Sequence, residues 1–71
     1  MDERENYLAK AKREAHRYLS AGSVKDAIAS ILSDLNKRDD TKPAQALVAF
    51  GLWVAVQDDH IQAVRFIDGF R

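Results

Sequence analysis

The hydrophobic and polar positions along the chain fall into four segments with helical spacing. In the first two segments apolar residues recur at intervals of three and four, which is typical of a helix with one buried face. Polar residues at 38–42 and the pair Asp58-Asp59 interrupt the pattern later in the chain. The pattern predicts an all-α fold in which residues 1–71 form one domain. Its four helices are expected at about 2–21, 24–37, 43–57 and 60–68.

The third segment differs from the others because it is apolar on every side. Residues 43–57 hold no charged side chain, in a chain of which 31% is charged. A helix that is apolar all round is buried or spans a membrane, and this one is shorter than the roughly 20 residues that a bilayer requires. We therefore expect no membrane contact and a compact bundle, arranged as two αα-hairpins around a buried central third helix.

Local signals mark the ends of the helices. Gly22 can adopt the left-handed conformation that ends a helix. Ser23, followed three residues later by Asp26, is similar to a capping box for the second helix. Pro43 suits the first turn of the third helix, and Asp59 is placed to cap the fourth.

Steps of 100° per residue divide the third helix into two apolar sides. The first side comprises Ala44, Leu47, Val48, Gly51, Val54 and Ala55. The second side comprises Gln45, Ala49, Leu52, Trp53 and Val56. Gly51, at the centre of the first side, indicates that another helix crosses closely there. The second side must be covered by the first helix or by another chain, and the sequence leaves both alternatives open.

The two predicted hairpins are related by a constant offset of 36 residues. The offset aligns Ala15 with Gly51, Ala27 with Ala63 and Ile31 with Ile67. In the first hairpin, the spacing Ala15-x2-Tyr18-x3-Gly22-x4-Ala27-x3-Ile31 resembles the tetratricopeptide repeat. The resemblance implies stacked helical hairpins, although such arrays need about three repeats and this chain has at most two.

Two further segments carry a second resemblance. Residues 29–35, Ala-Ser-Ile-Leu-Ser-Asp-Leu, and residues 65–70, Arg-Phe-Ile-Asp-Gly-Phe, look like parts of short helical proteins of actinobacteria and their phages. That resemblance implies a small intracellular accessory protein and no particular activity.

Composition narrows the possible functions. Eleven basic residues balance eleven acidic ones, so the basic footprint of a dedicated nucleic-acid binder is missing. Cysteine is absent, which excludes disulfides and thiolate metal sites. The polar start, with charges of both signs, is unlike a secretory signal and predicts a cytoplasmic location. A core of this size stabilises a domain by only about 3 to 5 kcal/mol, and self-association is a common remedy.

The residues give no sign of catalytic chemistry. His16 and His60 are the two imidazoles, and neither has an evident partner for nucleophilic catalysis. Asp39 and Asp40 lack the alternating ligands of a calcium loop. No glycine-rich phosphate loop or metal-binding helix motif is present. We therefore predict a protein that is not an enzyme, with no catalytic residues, no cofactor, no metal and no small-molecule substrate.

These observations favour a protein–protein interaction module. We expect it to bind a protein partner or itself through leftover apolar helix surface, with a homodimer as the first choice of homo-oligomer. A large aromatic set among small neighbours is the composition of an interface anchor. The candidate interface residues are Gln45, Ala49, Leu52, Trp53, Val56, Phe66 and Phe70. The alternative is a small helix-turn-helix-like regulator that binds nucleic acid, suggested by the short turn before the fourth helix and by Lys10, Arg13 and Arg17.

Overall fold

The chain folds into a bundle of four α-helices, and the computed structural model describes residues 2–71. The helices are α1 (Glu3–Ser20), α2 (Val24–Asn36), α3 (Gln45–Gln57) and α4 (His60–Asp68). No strand is present in that part of the chain. The all-α prediction is confirmed, and the expected helix ends agree with the observed ones to within two residues.

The helix at the centre of the bundle is α2. It is in contact with α1, α3 and α4, whereas α1 and α3 do not contact each other anywhere in residues 2–71. Its apolar residues repeat at intervals of three and four and face inward. The fully buried side chains of α2 are Ala27, Ile28, Ile31 and Leu35, with Val24 nearly so.

The expectation of a buried third helix is therefore wrong. Only Gly51 and Val54 of α3 are buried. The physical reason is the amount of chain available. A helix covered on all sides needs neighbours all around it, and the other three helices have only 18, 13 and 9 residues. The four helices together form a slab with a smallest extent of 16 Å. A slab that thin holds about two layers of helices, so α3 keeps one side in water.

The two predicted hairpins are present, with small residues where their helices meet. Ala15 of α1 and Ala27 of α2 are fully buried in the first hairpin. Gly51 of α3 and Ala63 of α4 occupy the equivalent buried positions in the second. Small side chains at these points let the paired helices approach closely.

The connection between α1 and α2 is a glycine-terminated turn, as expected. Gly22 has φ +80°, and the amides of Gly22 and Ser23 donate to the carbonyl oxygens of Leu19 and Tyr18, both at 2.9 Å. This pair of bonds is the Schellman motif. The expected capping box is wrong, because Ser23 Oγ donates to the carboxylate of Asp26 at 2.7 Å and makes no cap to the backbone.

The ends of α3 and α4 differ in how they are capped. Pro43 lies outside α3, since Ala44 is the N-cap and has extended backbone angles; its expected first-turn position is wrong by two residues. Ala44 offers no side-chain acceptor. In contrast, Asp59 caps α4 as predicted, accepting from the amides of Ile61 and Gln62 at 3.0 and 3.2 Å.

Polar side chains of α1 hold the C-terminal end of the described chain. His16 Nε2 lies 2.7 Å from Asp68 Oδ1, and Lys12 Nζ donates to the carbonyl oxygen of Phe70. Arg4 donates to the carbonyl oxygen of Arg71. These contacts fasten α1 to α4 and to the residues after it, on the side of the bundle away from α3.

Candidate protein interface

The outer face of α3 is the most apolar exposed surface that one element presents. We define this outer face as the exposed residues Gln45, Ala46, Ala49, Phe50, Leu52, Trp53, Val56 and Gln57. Leu52, Trp53 and Val56 are 58%, 52% and 74% exposed. Leu47, at the edge of the outer face, is 44% exposed. Large apolar side chains that cluster in water commonly mark an interaction surface.

The inner side of α3 is anchored at two points. Val54 is fully buried, and Gly51 faces Phe66 so closely that an added Cβ atom would lie 2.7 Å from Phe66 Cζ and 3.2 Å from Leu32 Cδ1. Both distances are shorter than an ordinary carbon–carbon contact of about 3.5 to 4.0 Å. Gly51 therefore fixes how deeply α3 sits against α2 and α4, and with it the direction of the outer face.

The end of α3 is fixed by a turn of two residues. Asp58 adopts the left-handed conformation, with φ 54° and ψ 35°. Its amide donates to the carbonyl oxygens of Val54 and Ala55 at 3.1 and 3.2 Å. A residue other than glycine in this conformation costs roughly 1–2 kcal/mol, although aspartate tolerates it better than most. The turn leaves the exposed carboxylates of Asp58 and Asp59 beside the end of the outer face.

Aromatic rings connect the outer face to the core. The rings of Trp53 and Phe50 are stacked, with centroids 6.0 Å apart. Phe50 then packs on Phe66 at 5.8 Å, and Phe66 meets Phe70 edge to face at 5.1 Å. Aromatic pairs at such distances add about 0.5–1.5 kcal/mol beyond the area they bury. The ring of Trp53 is therefore held at the surface by stacking on Phe50, which itself packs on the buried Phe66.

The structure separates the predicted interface residues into two groups. Gln45, Ala49, Leu52, Trp53 and Val56 lie together on the exposed outer face. Phe66 is buried in the core and is not available to a partner, so its expected place in the interface is wrong. Phe70 is half-buried and packs against the core. Phe66 is buried because its ring fills the space opposite Gly51, which has no side chain.

Sequence reasoning missed three residues at this surface. Phe50 and Ala46 were assigned to neither side of α3, yet both are exposed. Leu47 was expected on the inner side and is 44% exposed. The signal for Phe50 was available, because it lies one helical turn before Trp53 and residues three apart are neighbours on a helix surface.

The alternative that α1 covers the outer face does not hold in this fold. Since α1 and α3 make no contact within residues 2–71, the second side of α3 has no cover from the described chain. The side chains of Arg4, Lys12 and His16 on α1 instead contact residues 68–71, and Arg4 also donates to a carbonyl oxygen of the loop between α2 and α3.

No family model matches this chain, and neither a curated protein nor a solved structure is similar to it at a significant level. The assignment of a function therefore depends on the physical features of the surface.

The loop between α2 and α3 holds a pair of oppositely charged side chains, Arg38 and Asp40. Arg38 donates to both carboxylate oxygens of Asp40, at 2.9 and 2.8 Å. These hydrogen bonds lower the pKa of Asp40 and raise that of Arg38. Both oxygens of Asp40 thus already have a partner. Within residues 2–71, no group of three or more His, Cys, Asp or Glu side chains is placed to hold a metal ion.

Two further observations concern the surroundings of the chain. A surface depression is lined by residues of α1 alone, from Lys10 to Ser20, so it is the outer side of one helix and not a cleft between elements. No helix in residues 2–71 has both the length and the hydropathy to cross a membrane. The cytoplasmic location stays a prediction.

Proposed function

We propose that this protein is a non-enzymatic protein–protein interaction module that associates with a second copy of itself through the outer face of α3. The observation that supports the proposal is the exposure of Phe50, Leu52, Trp53 and Val56 on one helix. A monomer that left these side chains in water would lose roughly 1 kcal/mol for each one, on a scale of 1.5–3 kcal/mol for complete burial.

The area of the outer face is sufficient for a small dimer interface. The four large apolar side chains of the outer face and Leu47 at its edge are about half exposed, which amounts to roughly 500 Å² if a full side chain has about 200 Å². The exposed alanines and glutamines raise the figure to roughly 600 Å² per copy. Two copies would then bury roughly 1,200 Å², the lower end of the range for stable interfaces. We therefore expect a dissociation constant in the micromolar range.

Charge favours a second copy over a charged partner. Residues 43–57 carry no charge, so the outer face offers nothing that would select an acidic or a basic surface. Because the formal net charge of the whole chain is zero, two copies do not repel each other as they approach. A second copy supplies an apolar face of equal size and equal lack of charge.

The nucleic-acid alternative has less support. A recognition helix presents basic and amide side chains to the groove. In α4, Ala63, Phe66 and Ile67 are buried and Gln62 is half-buried. Arg65 is exposed and is the one Lys or Arg that α4 contains. Lys10, Arg13 and Arg17 are exposed on α1, but the acidic Glu14 lies within the same stretch.

Sedimentation from about 1 to 200 µM, a range chosen to bracket a micromolar dissociation constant, tests the proposal. The wild-type protein is expected to pass from monomer to dimer. Trp53→Asp is expected to stay monomeric throughout, because a buried unpaired carboxylate costs several kcal/mol in an interface. Circular dichroism should show that the variant keeps its helices, since Trp53 is half exposed in the monomer.

Tyr18→Asp is the matched control. Tyr18 is 44% exposed and lies on α1, which does not contact α3, so the variant should dimerise like the wild type. A wild-type protein that is monomeric at all concentrations, or a Trp53→Asp variant that dimerises normally, would contradict the proposal. Titration with random duplex DNA at about 50 mM salt covers the alternative, since a true binder shows affinity that falls steeply with salt.

A further inference from the structure

Four residues of the outer face form a line along α3, called the seam below, with the spacing seen where two helices pack together. Ala46, Ala49, Trp53 and Val56 are spaced by three, four and three residues. On a helix with 100° per residue they share one side, directed away from the buried Gly51. All four are exposed. This spacing is that of the a and d positions in paired helices.

We propose that the seam is occupied by α3 of a second copy running antiparallel, with a two-fold axis at the level of Gly51. This inference rests on the proposed self-association and specifies its geometry. In such a pair, each residue lies level with the one equally far on the other side of Gly51. Trp53 then packs on Ala49 of the second copy, and Val56 on Ala46.

Side-chain volumes favour the antiparallel arrangement over a parallel one. Antiparallel pairing places each large residue, Trp53 or Val56, against an alanine in all four layers of the seam. Parallel pairing would place Trp53 against Trp53 and Ala49 against Ala49, which gives one overfilled layer beside an empty one. Protein interfaces are packed as densely as protein interiors, and both overpacking and cavities are destabilising.

The charges at the two ends of α3 favour the same direction. Lys42 precedes α3, and Asp58 and Asp59 follow it; all three are exposed. An antiparallel pair brings Lys42 of one copy towards the two aspartates of the other, whereas a parallel pair brings aspartates towards aspartates. Asp58 also lies level with Ala44, the N-cap that has no side-chain acceptor, where a negative charge suits the helix dipole.

Cysteine pairing tests the direction, and the chain has no cysteine of its own to interfere. The two single variants are Ala46→Cys and Val56→Cys, both at exposed positions. In an antiparallel pair, position 46 of one copy meets position 56 of the other. Two copies of the same variant would hold their cysteines about ten residues apart along the axis, roughly 15 Å, beyond the ~7 Å between Cα atoms that a disulfide spans.

An equimolar mixture of the two variants, one carrying a mass tag, is oxidised at a concentration where the wild type is dimeric. The mixed disulfide dimer is expected to exceed both self-linked dimers at least tenfold. Self-linked dimers in excess, or a dimer that forms no disulfide, would overturn the antiparallel geometry while leaving self-association intact. Sedimentation of the same samples separates that result from the failure of self-association itself, in which only monomers are found.

Discussion

Gly51 is a residue whose lack of a side chain has two opposing effects on stability. In the interior of a helix, glycine is less favourable than alanine by about 1 kcal/mol. In the close crossing between α3 and α4, however, a Cβ atom would come within 3.0 Å of Phe66 Cε2 as well as of Cζ. Phe66 is buried and packs on both Phe50 and Phe70, so a shift of its ring would disturb both contacts.

We expect the packing effect to exceed the helix propensity at Gly51. Overpacking a core typically costs about 1–3 kcal/mol, so Gly51→Ala should lower the free energy of unfolding by about 1 kcal/mol despite its better propensity. Urea denaturation at low micromolar concentration measures this. Ala29→Gly, at an exposed position of α2, reports the propensity effect alone and should also cost about 1 kcal/mol. A stabilised Gly51→Ala variant would show that the crossing is looser than the distances indicate.

Sequence reasoning succeeded at residues whose role follows from local chemistry. The close crossing at Gly51, the left-handed Gly22 and the cap at Asp59 each depend on the residue's own conformational or hydrogen-bonding capacity. It failed at Ser23, whose hydroxyl donates to the carboxylate of Asp26 and whose oxygen accepts no backbone amide of α2. It failed at Phe66 because a helical wheel shows only where apolar residues lie on their own helix. It does not show that Gly51, on the neighbouring helix, leaves a space that the ring of Phe66 fills.

At the scale of elements, α2 and α3 have exchanged the roles that their compositions suggest. Residues of α2 include charged and hydroxyl side chains, yet five of its residues are buried, against two in α3. The more apolar α3 lies at the edge of the slab. Periodicity explains the difference, because an apolar face of limited width on α2 fits the core, whereas α3 has apolar residues on sides that three short helices cannot all reach.

Amide hydrogen exchange should reflect this arrangement. Helices with few buried side chains open locally at low free-energy cost, and α3 has two buried residues where α2 has five. In a dilute sample, amides in the middle of α3 are expected to exchange faster than those in the middle of α2. Protection of α3 should rise with protein concentration as copies associate, because each copy then covers the outer face of the other. Equal protection of both helices in the dilute sample would contradict the idea that α3 is weakly held.

The boundaries and pairing of the helices could be predicted from the sequence because they depend on neighbours within a few residues. Gly22 and the pair Asp58-Asp59 interrupt the helical pattern, and short turns force antiparallel neighbours. The start of α3 was the least accurate boundary. There the eight residues from 37 to 44 form a loop in which Thr41 is buried and its hydroxyl donates to the carbonyl oxygen of Leu35 at 2.8 Å, a contact that periodicity does not encode.

At the scale of the whole molecule, the candidate interface was predictable in part for a geometric reason. The sequence shows that α3 has more apolar surface than one neighbour covers, and five of the seven candidate residues lie on its outer face. Whether another helix of the same chain covers that face depends on the shape of the slab, which has extents of 34, 25 and 16 Å. Shape depends on the crossing directions of all four helices, which no single segment specifies.

The absence of charge between Pro43 and Gln57 has a further consequence for the response of the proposed dimer to temperature. Association that buries apolar surface lowers the heat capacity, and the hydrophobic contribution weakens on cooling. We therefore expect the dissociation constant from sedimentation to be several-fold larger at about 5 °C than at about 25 °C. Tighter association in the cold would indicate that polar contacts dominate. On the expected result, in which association weakens on cooling, a sample kept on ice holds a larger share of monomer than the same sample at about 25 °C.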